Sequence, residues 1–175
     1  GGPVVTVAEG NMRSSRGVWT EDGWILFTQP TAELPGQILR VRADGGKPEP
    51  LPTTEAGKRQ PVGSVSTMPG FPFLLLTVGA STTREGQVGS FTTAEGWAVA
   101  VQSPETGERR VLAPGGSLPR PLAGGNVVYR HSGRLMAGRL DAGATRLVGA
   151  PIPLHAVTGG ADVAWFDLTK GGTLV

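Results

Sequence analysis

A chain of 175 residues with 28 glycines, 15 prolines and no cysteine is long enough for one domain with a real core, and it excludes disulfides and thiolate chemistry. Sixteen Lys and Arg against 14 Asp and Glu give a formal net charge of +2, and the basic residues are scattered, which argues against specific nucleic-acid binding. No apolar run approaches the ~18 residues of a membrane span, and the longest stretch free of both Gly and Pro is the ten residues from Ala161 to Lys170, shorter than a mean α-helix of about 11–12.

Glycine and proline instead punctuate short apolar runs, the pattern of many strands joined by turns. Residues 3–9 read as the last strand of a unit preceding the first complete one. Residues 17–28 read as strand, Asp22-Gly23 turn, strand. Ile38 to Arg42 then alternates apolar with basic, turns at Asp44-Gly45-Gly46 and returns through Pro48 to Leu51. Residues 65–77 repeat the first hairpin around Pro69-Gly70, and residues 81–95 form an inserted polar loop. Trp97 to Gln102 turns at Pro104 to Gly107 and returns through Val111-Leu112. A third unit opens at Leu118, turns at Ala123-Gly124-Gly125 and continues through Val127-Val128-Tyr129. Its second hairpin runs from Arg134 to Leu140, turns at Asp141-Ala142-Gly143 and returns to Val148. Residues 162–175 begin the pattern again.

The turn positions Asp22, Pro69, Gly124 and Gly171 lie 47, 55 and 47 residues apart, and a period in the forties is that of a four-stranded propeller blade. The expected fold is all-β, with antiparallel four-stranded blades of a β-propeller in a partial ring. Whole blades are expected over residues 17–53, 62–113 and 118–157, with part-blades at 3–9 and 162–175. The first hairpin of each unit is the more apolar, as befits inner strands, whereas the second alternates, as befits strands nearer the rim.

No catalytic, cofactor-binding or metal signature is present. His131 and His155 are the only histidines and neither sits in a ligand cluster. Ser117 lacks the Gly-x-Ser-x-Gly frame of a nucleophile elbow, since Pro119 follows two residues on. The glycine pairs stand outside any phosphate-loop context, and Asp22 and Asp44 read as turn residues that bond backbone. Trp19, Trp24, Trp97, Trp165 and Tyr129 fall in repeat strands, where aromatics pack blade against blade. Trp24 follows directly on a turn and is the aromatic best placed to meet a ligand. Arg16, Arg59, Arg84 and Arg120 enter or precede inner strands, so they and Trp24 form the candidate ligand or partner set.

Several segments carry a family resemblance: Val18-Trp19-Thr20-Glu21-Asp22-Gly23 with Ile25-Leu26-Phe27-Thr28, and Leu39-Arg40-Val41 with Asp44-Gly45-Gly46-Lys47-Pro48. Others are Glu105 to Leu112, Gly116 to Arg120, and Val127-Val128-Tyr129 followed by Gly133-Arg134-Leu135. On these the chain resembles the WD40-like, TolB-type six-bladed propellers of bacteria, especially those fused to eukaryotic-like serine/threonine kinases. The resemblance implies a non-catalytic platform that binds a protein, peptide or glycan as a sensor or scaffold part of a larger protein, and it favours an extracytoplasmic or periplasmic setting. Two other readings stay open: an accessory domain of a prolyl-oligopeptidase-like hydrolase, and an assembly module that forms homo-oligomers through open blade edges. The motifs are structural ones, so they speak to fold more than to activity.

Overall fold

The computed structural model describes residues 6–7, 17–29, 36–79, 96–143, 145–156, 166 and 168. Three antiparallel four-stranded sheets account for most of them. The first holds β1 (Val18–Trp19), β2 (Trp24–Thr28), β3 (Ile38–Arg42) and β4 (Glu49–Pro50), side by side in chain order. A single helical turn, α1 (Glu55–Lys58), leads to the second sheet of β5 (Val62–Thr67), β6 (Leu74–Gly79), β7 (Trp97–Gln102) and β8 (Arg109–Pro114). The third holds β9 (Gly116–Leu122), β10 (Asn126–His131), β11 (Arg134–Leu140) and β12 (Leu147–Ala156), again in chain order.

Period-two side-chain alternation decides how the sheets stack. In β6, Leu74, Leu76 and Val78 face the first sheet and join Leu26, Ile38 and Leu51 in one core. The intervening Leu75, with Val99 and Val101 of β7, faces the third sheet and meets Val127, Tyr129 and Leu140. Every residue of β6 is buried because both faces of this strand are covered. Val128 and Leu135, on the far side of the third sheet, pack against Phe166 and Leu168 from the segment that follows. The sheets are thus layered in chain order, the second sharing one core with the first and another with the third. Their first strands converge, with β1 against β5 and β5 against β9. Meandering four-stranded sheets stacked in this way form a partial ring of propeller blades.

Irregularities serve the same stacking. A register shift between Val62 and Ser64 lets both Val62 and Val65 reach the first core. In β9 a shift opposite Val128 and Arg130 leaves Leu118 at φ 52°, a left-handed conformation costly for a non-glycine residue. Its N–H is taken up across the blade boundary by Thr77 Oγ1 at 2.8 Å.

Two elements differ from the sequence reading. The turn α1 falls between the expected blades 17–53 and 62–113, and Thr54 caps it by accepting the Gly57 N–H at 3.2 Å. Strand β12 runs eight residues beyond Val148, through Gly149, Pro151 and Pro153. It is the outer strand of its sheet, and register shifts in its pairing with β11 absorb this irregular stretch. The expected inserted loop 81–95 lies outside the described residues, as do the part-blades at 3–9 and 162–175 apart from residues 6–7, 166 and 168.

Candidate functional site

Trp24 opens β2, and its position follows from the turn before it. The Trp24 N–H donates to Thr20 Oγ1 at 3.0 Å, the Thr20 N–H donates to the Trp24 carbonyl at 2.8 Å, and the Thr20 hydroxyl donates to the Asp22 carboxylate. Gly23 supplies the left-handed φ of 82° that closes this turn. Across the ladder Trp24 pairs with Arg42 and lies diagonal to Arg40, which pairs with Leu26. Alternation therefore puts Trp24, Arg40 and Arg42 on one face.

The two guanidinium carbons lie 4.4 Å (Arg40) and 5.1 Å (Arg42) from the indole centroid, within cation–π range. Arg42 is also engaged by the Asp22 carbonyl, to which its Nη1 donates at 3.0 Å. Arg40 is not so satisfied. Its Nε lies 3.2 Å from Glu49 Oε1, yet the approach is too oblique for a hydrogen bond, and this buried N–H has no acceptor.

Trp24 and Arg40 line a groove of about 300 Å³ between the first and second blades. The opposite wall is the β5–β6 turn, Phe71-Pro72-Phe73, with Pro104 from the β7–β8 turn. Phe71 is backed by the third blade: a Cβ on Gly125 would fall 2.9 Å from its Cζ, so only glycine leaves room for the ring. A second groove of about 250 Å³ lies between the second and third blades, bounded by Phe73 again and by Ser103, Thr106, Arg110 and Thr145. Its Arg110 is paired with Glu108 at 2.9 Å. The Thr145 rim is fixed by Asp141, whose carboxylate accepts the Thr145 N–H at 2.6 Å and its hydroxyl at 2.8 Å. These bonds hold the Asp141 carboxyl below its ordinary pKa.

Below the first groove the two blades are pinned by Arg109 at the start of β8. Its Nε donates to Gln102 Oε1 at 2.6 Å, Nη1 to the carbonyls of Gly57 at 2.7 Å and Gln60 at 3.2 Å, and Nη2 to the Gly36 carbonyl at 2.6 Å. Gln102, fully buried, completes the clasp by donating to the Pro52 carbonyl at 3.1 Å. Burial lowers the Arg109 pKa to about 10, so the group stays charged at neutral pH. Glycines make the close approach possible. A Cβ on Gly36 would collide with the Gly57 and Gln60 carbonyls, and one on Gly107, at φ 73°, would lie 2.5 Å from the Pro52 carbonyl.

Of the residues singled out in the sequence, Trp24 lines the first groove. Arg59 caps the C-terminus of α1, is exposed there, and lines neither groove. Arg120 lies within β9, half-buried, its guanidinium carbon 5.8 Å from the Phe166 ring. Arg16 and Arg84 lie outside the described residues. The sequence reading passed over Arg40, whose signal was the alternation of β3 that sets it beside Trp24. It also passed over Arg109, whose acceptors apart from Gln102 are main-chain carbonyls and carry no side-chain signature. Among the described residues no group of three His, Asp or Glu side chains is gathered for a metal ion, and no helix is long and apolar enough to cross a membrane. No protein-family model matches the chain, and no curated protein matches it.

Proposed function

We propose that the chain is a non-catalytic propeller platform of the WD40-like, TolB type, which binds a protein, peptide or glycan as part of a larger sensor or scaffold. The observation that carries the reading is the first groove: an apolar cleft of about 300 Å³ with Trp24 and the Arg40 guanidinium, ion-paired with Glu49, on its wall. Ligand sites are mostly apolar concavities with a few placed polar groups, and this groove is at the small end of their range. The turn bonds of Thr20 and the packing of Phe71 on Gly125 fix both walls before any ligand arrives, which lowers the ordering cost of binding.

Selection of a random displayed-peptide library on the immobilised chain tests this. Enriched peptides are expected to lose about tenfold or more in affinity when Trp24→Leu is introduced, with circular dichroism and thermal melting reporting that the variant still folds. Failure to enrich, or enriched peptides indifferent to Trp24, overturns the reading.

A second reading, assembly of copies, draws on β12. Its Val148, Ile152 and Leu154 are 54%, 66% and 55% exposed on the outer strand of the third blade. Pro151 and Pro153 remove backbone donors from this edge, so association there would proceed by side-chain burial more than by strand pairing. Light scattering at two concentrations, with and without Ile152→Ser and Leu154→Ser together, decides it: a mass that rises with concentration only in the parent chain supports assembly.

A further inference from the structure

The third sheet turns one face away from the second blade, and its strands set arginines there beside apolar surface that stays open. We propose that the outer half of this face docks an acidic amphipathic helix of a partner protein, an inference that goes beyond the groove reading and shares no residue with it. Pairing fixes which side chains share the face. Val128 and Leu135 lie on it beneath Phe166 and Leu168. Their cross-strand partners Arg120 and Arg130 lie there too, and period two along β11 adds Ala137 and Arg139. On β12, Ile152 stands opposite Ala137 and Val148 opposite Arg139; both are exposed, as is Leu154 beyond them. Phe166 and Leu168 cover the inner half of the face and leave this outer strip open.

Charge selects the occupant. Residues 118–157 hold five arginines and a single carboxylate, Asp141, which is already taken up by Thr145 and by Arg146 at 3.7 Å. Strands β9 to β12 contain no acidic residue. Arg139, on the strip itself, is exposed and has no ion-pair partner among the described residues. Residues 17–53, in contrast, hold five carboxylates against three cations, so the net charge of +2 is unevenly spread. Excess positive charge opposes burial of this strip against the same strip of a second copy and favours an acidic surface. Shape then selects a helix. Pro151 and Pro153 remove donors from the β12 edge, so an added strand would pair poorly. Phe166 and Leu168 stand on the inner half, which makes the strip a ledge that a flat bilayer meets poorly. From Leu135 to Arg139 the ledge runs roughly 14 Å along β11, the length of about nine helical residues. A helix of that length turns an apolar stripe onto Val148, Ile152 and Leu154 and sets a flanking carboxylate on Arg139.

The test is fluorescence anisotropy at low salt with four labelled helical peptides: a leucine stripe flanked by glutamates, the same with glutamines, the same with lysines, and a scramble of the first that breaks the stripe. The glutamate peptide is expected to bind about fivefold tighter than the glutamine one, with the lysine and scrambled peptides weakest. Arg139→Gln is expected to erase the preference for glutamate, whereas Lys47→Gln, the same charge change at an exposed site of the first blade, leaves it unchanged. Ile152→Ser with Leu154→Ser is expected to weaken the glutamate peptide about tenfold or more, with circular dichroism reporting that the fold persists. Equal binding of glutamate and glutamine peptides, a glutamate preference that survives Arg139→Gln, or no binding of any of the four overturns the inference. Binding lost in Trp24→Leu and unmoved by Arg139→Gln puts the peptide in the first groove, so that the platform reading stands and this inference falls. A mass that rises with concentration only while Ile152 and Leu154 are intact gives the strip to a second copy, and sedimentation with phosphatidylserine vesicles that Arg139→Gln relieves gives it to lipid; either result overturns the inference.

Discussion

Arg109 is a charged side chain whose partners are, apart from Gln102, main-chain carbonyls, with no carboxylate in ion-pair range among the described residues. Desolvation of the guanidinium is offset only while all four acceptors are in place, and each hydrogen bond to a charged group contributes about 1.5–3 kcal/mol. Lysine keeps the charge but loses the planar fork that spans Gly36, Gly57 and Gln60. Arg109→Lys is therefore expected to lower stability by roughly 2–4 kcal/mol in urea denaturation, and a change below about 0.5 kcal/mol, the scale of an ordinary surface substitution, would contradict the clasp. Asp141 supplies a second residue-scale prediction. Its folded pKa is depressed, chiefly by the Thr145 hydroxyl, so the stabilisation it brings is present above the ordinary carboxylate value and is lost as pH falls through the lower folded value. Followed by NMR, the Thr145 amide shift is expected to titrate with a midpoint below 3.8, and a midpoint at or above 3.8 contradicts the bonding of this turn.

At the scale of elements, the turns between first and second strands do more than reverse the chain. The β5–β6 turn carries the Phe71-Pro72-Phe73 wall, and the β9–β10 turn carries the glycine that seats it. Gly125 has φ 78° and no room for a Cβ against Phe71. Gly125→Ala is expected to cost about 1–3 kcal/mol, from backbone strain and overpacking together. It should also broaden or shift the Phe71 ring resonances, and a variant that is neutral in both respects would show that the turns of the second and third blades do not touch. How much of this was legible in the sequence depends on where the signal resides. Asp22-Gly23 and the alternation of Ile38 to Arg42 announced the hairpins of the first blade because turn chemistry and period two are local. Beyond Val148 the local signal fails, since Gly149, Pro151 and Pro153 read as loop, and only lateral pairing with β11 makes the segment a strand. The same limit hid the site: Trp24 stood out beside its turn, whereas Arg40 gains meaning only opposite Phe71 and Phe73, which lie about thirty positions further along and come from another blade.

In the whole molecule, three sheets stack in chain order. That stacking explains why β6 is buried on both faces, why Thr77 meets Leu118 across a blade boundary, and why grooves open on both sides of Phe73. All-β composition alone demands none of these, because the same twelve strands could pair as one continuous sheet or a barrel. The repeat of turns in the sequence fits a propeller blade by its spacing, but contacts between blades depend on which face each side chain presents, and the bulges at Gly63 and Leu118 change that face within a strand.

Nuclear Overhauser contacts between blades test the stacking most directly. The structure requires a cross-peak between the Leu118 amide and Thr77, whose Oγ1 lies 2.8 Å from that nitrogen, and another between Gly116 and the Val99 methyl that would stand 3.0 Å from a Cβ there. Both cross-peaks, together with Phe71 to Gly125, are the expected result; strand contacts confined within each sheet, or the sequential pattern of helices, would contradict the propeller and the grooves that depend on it.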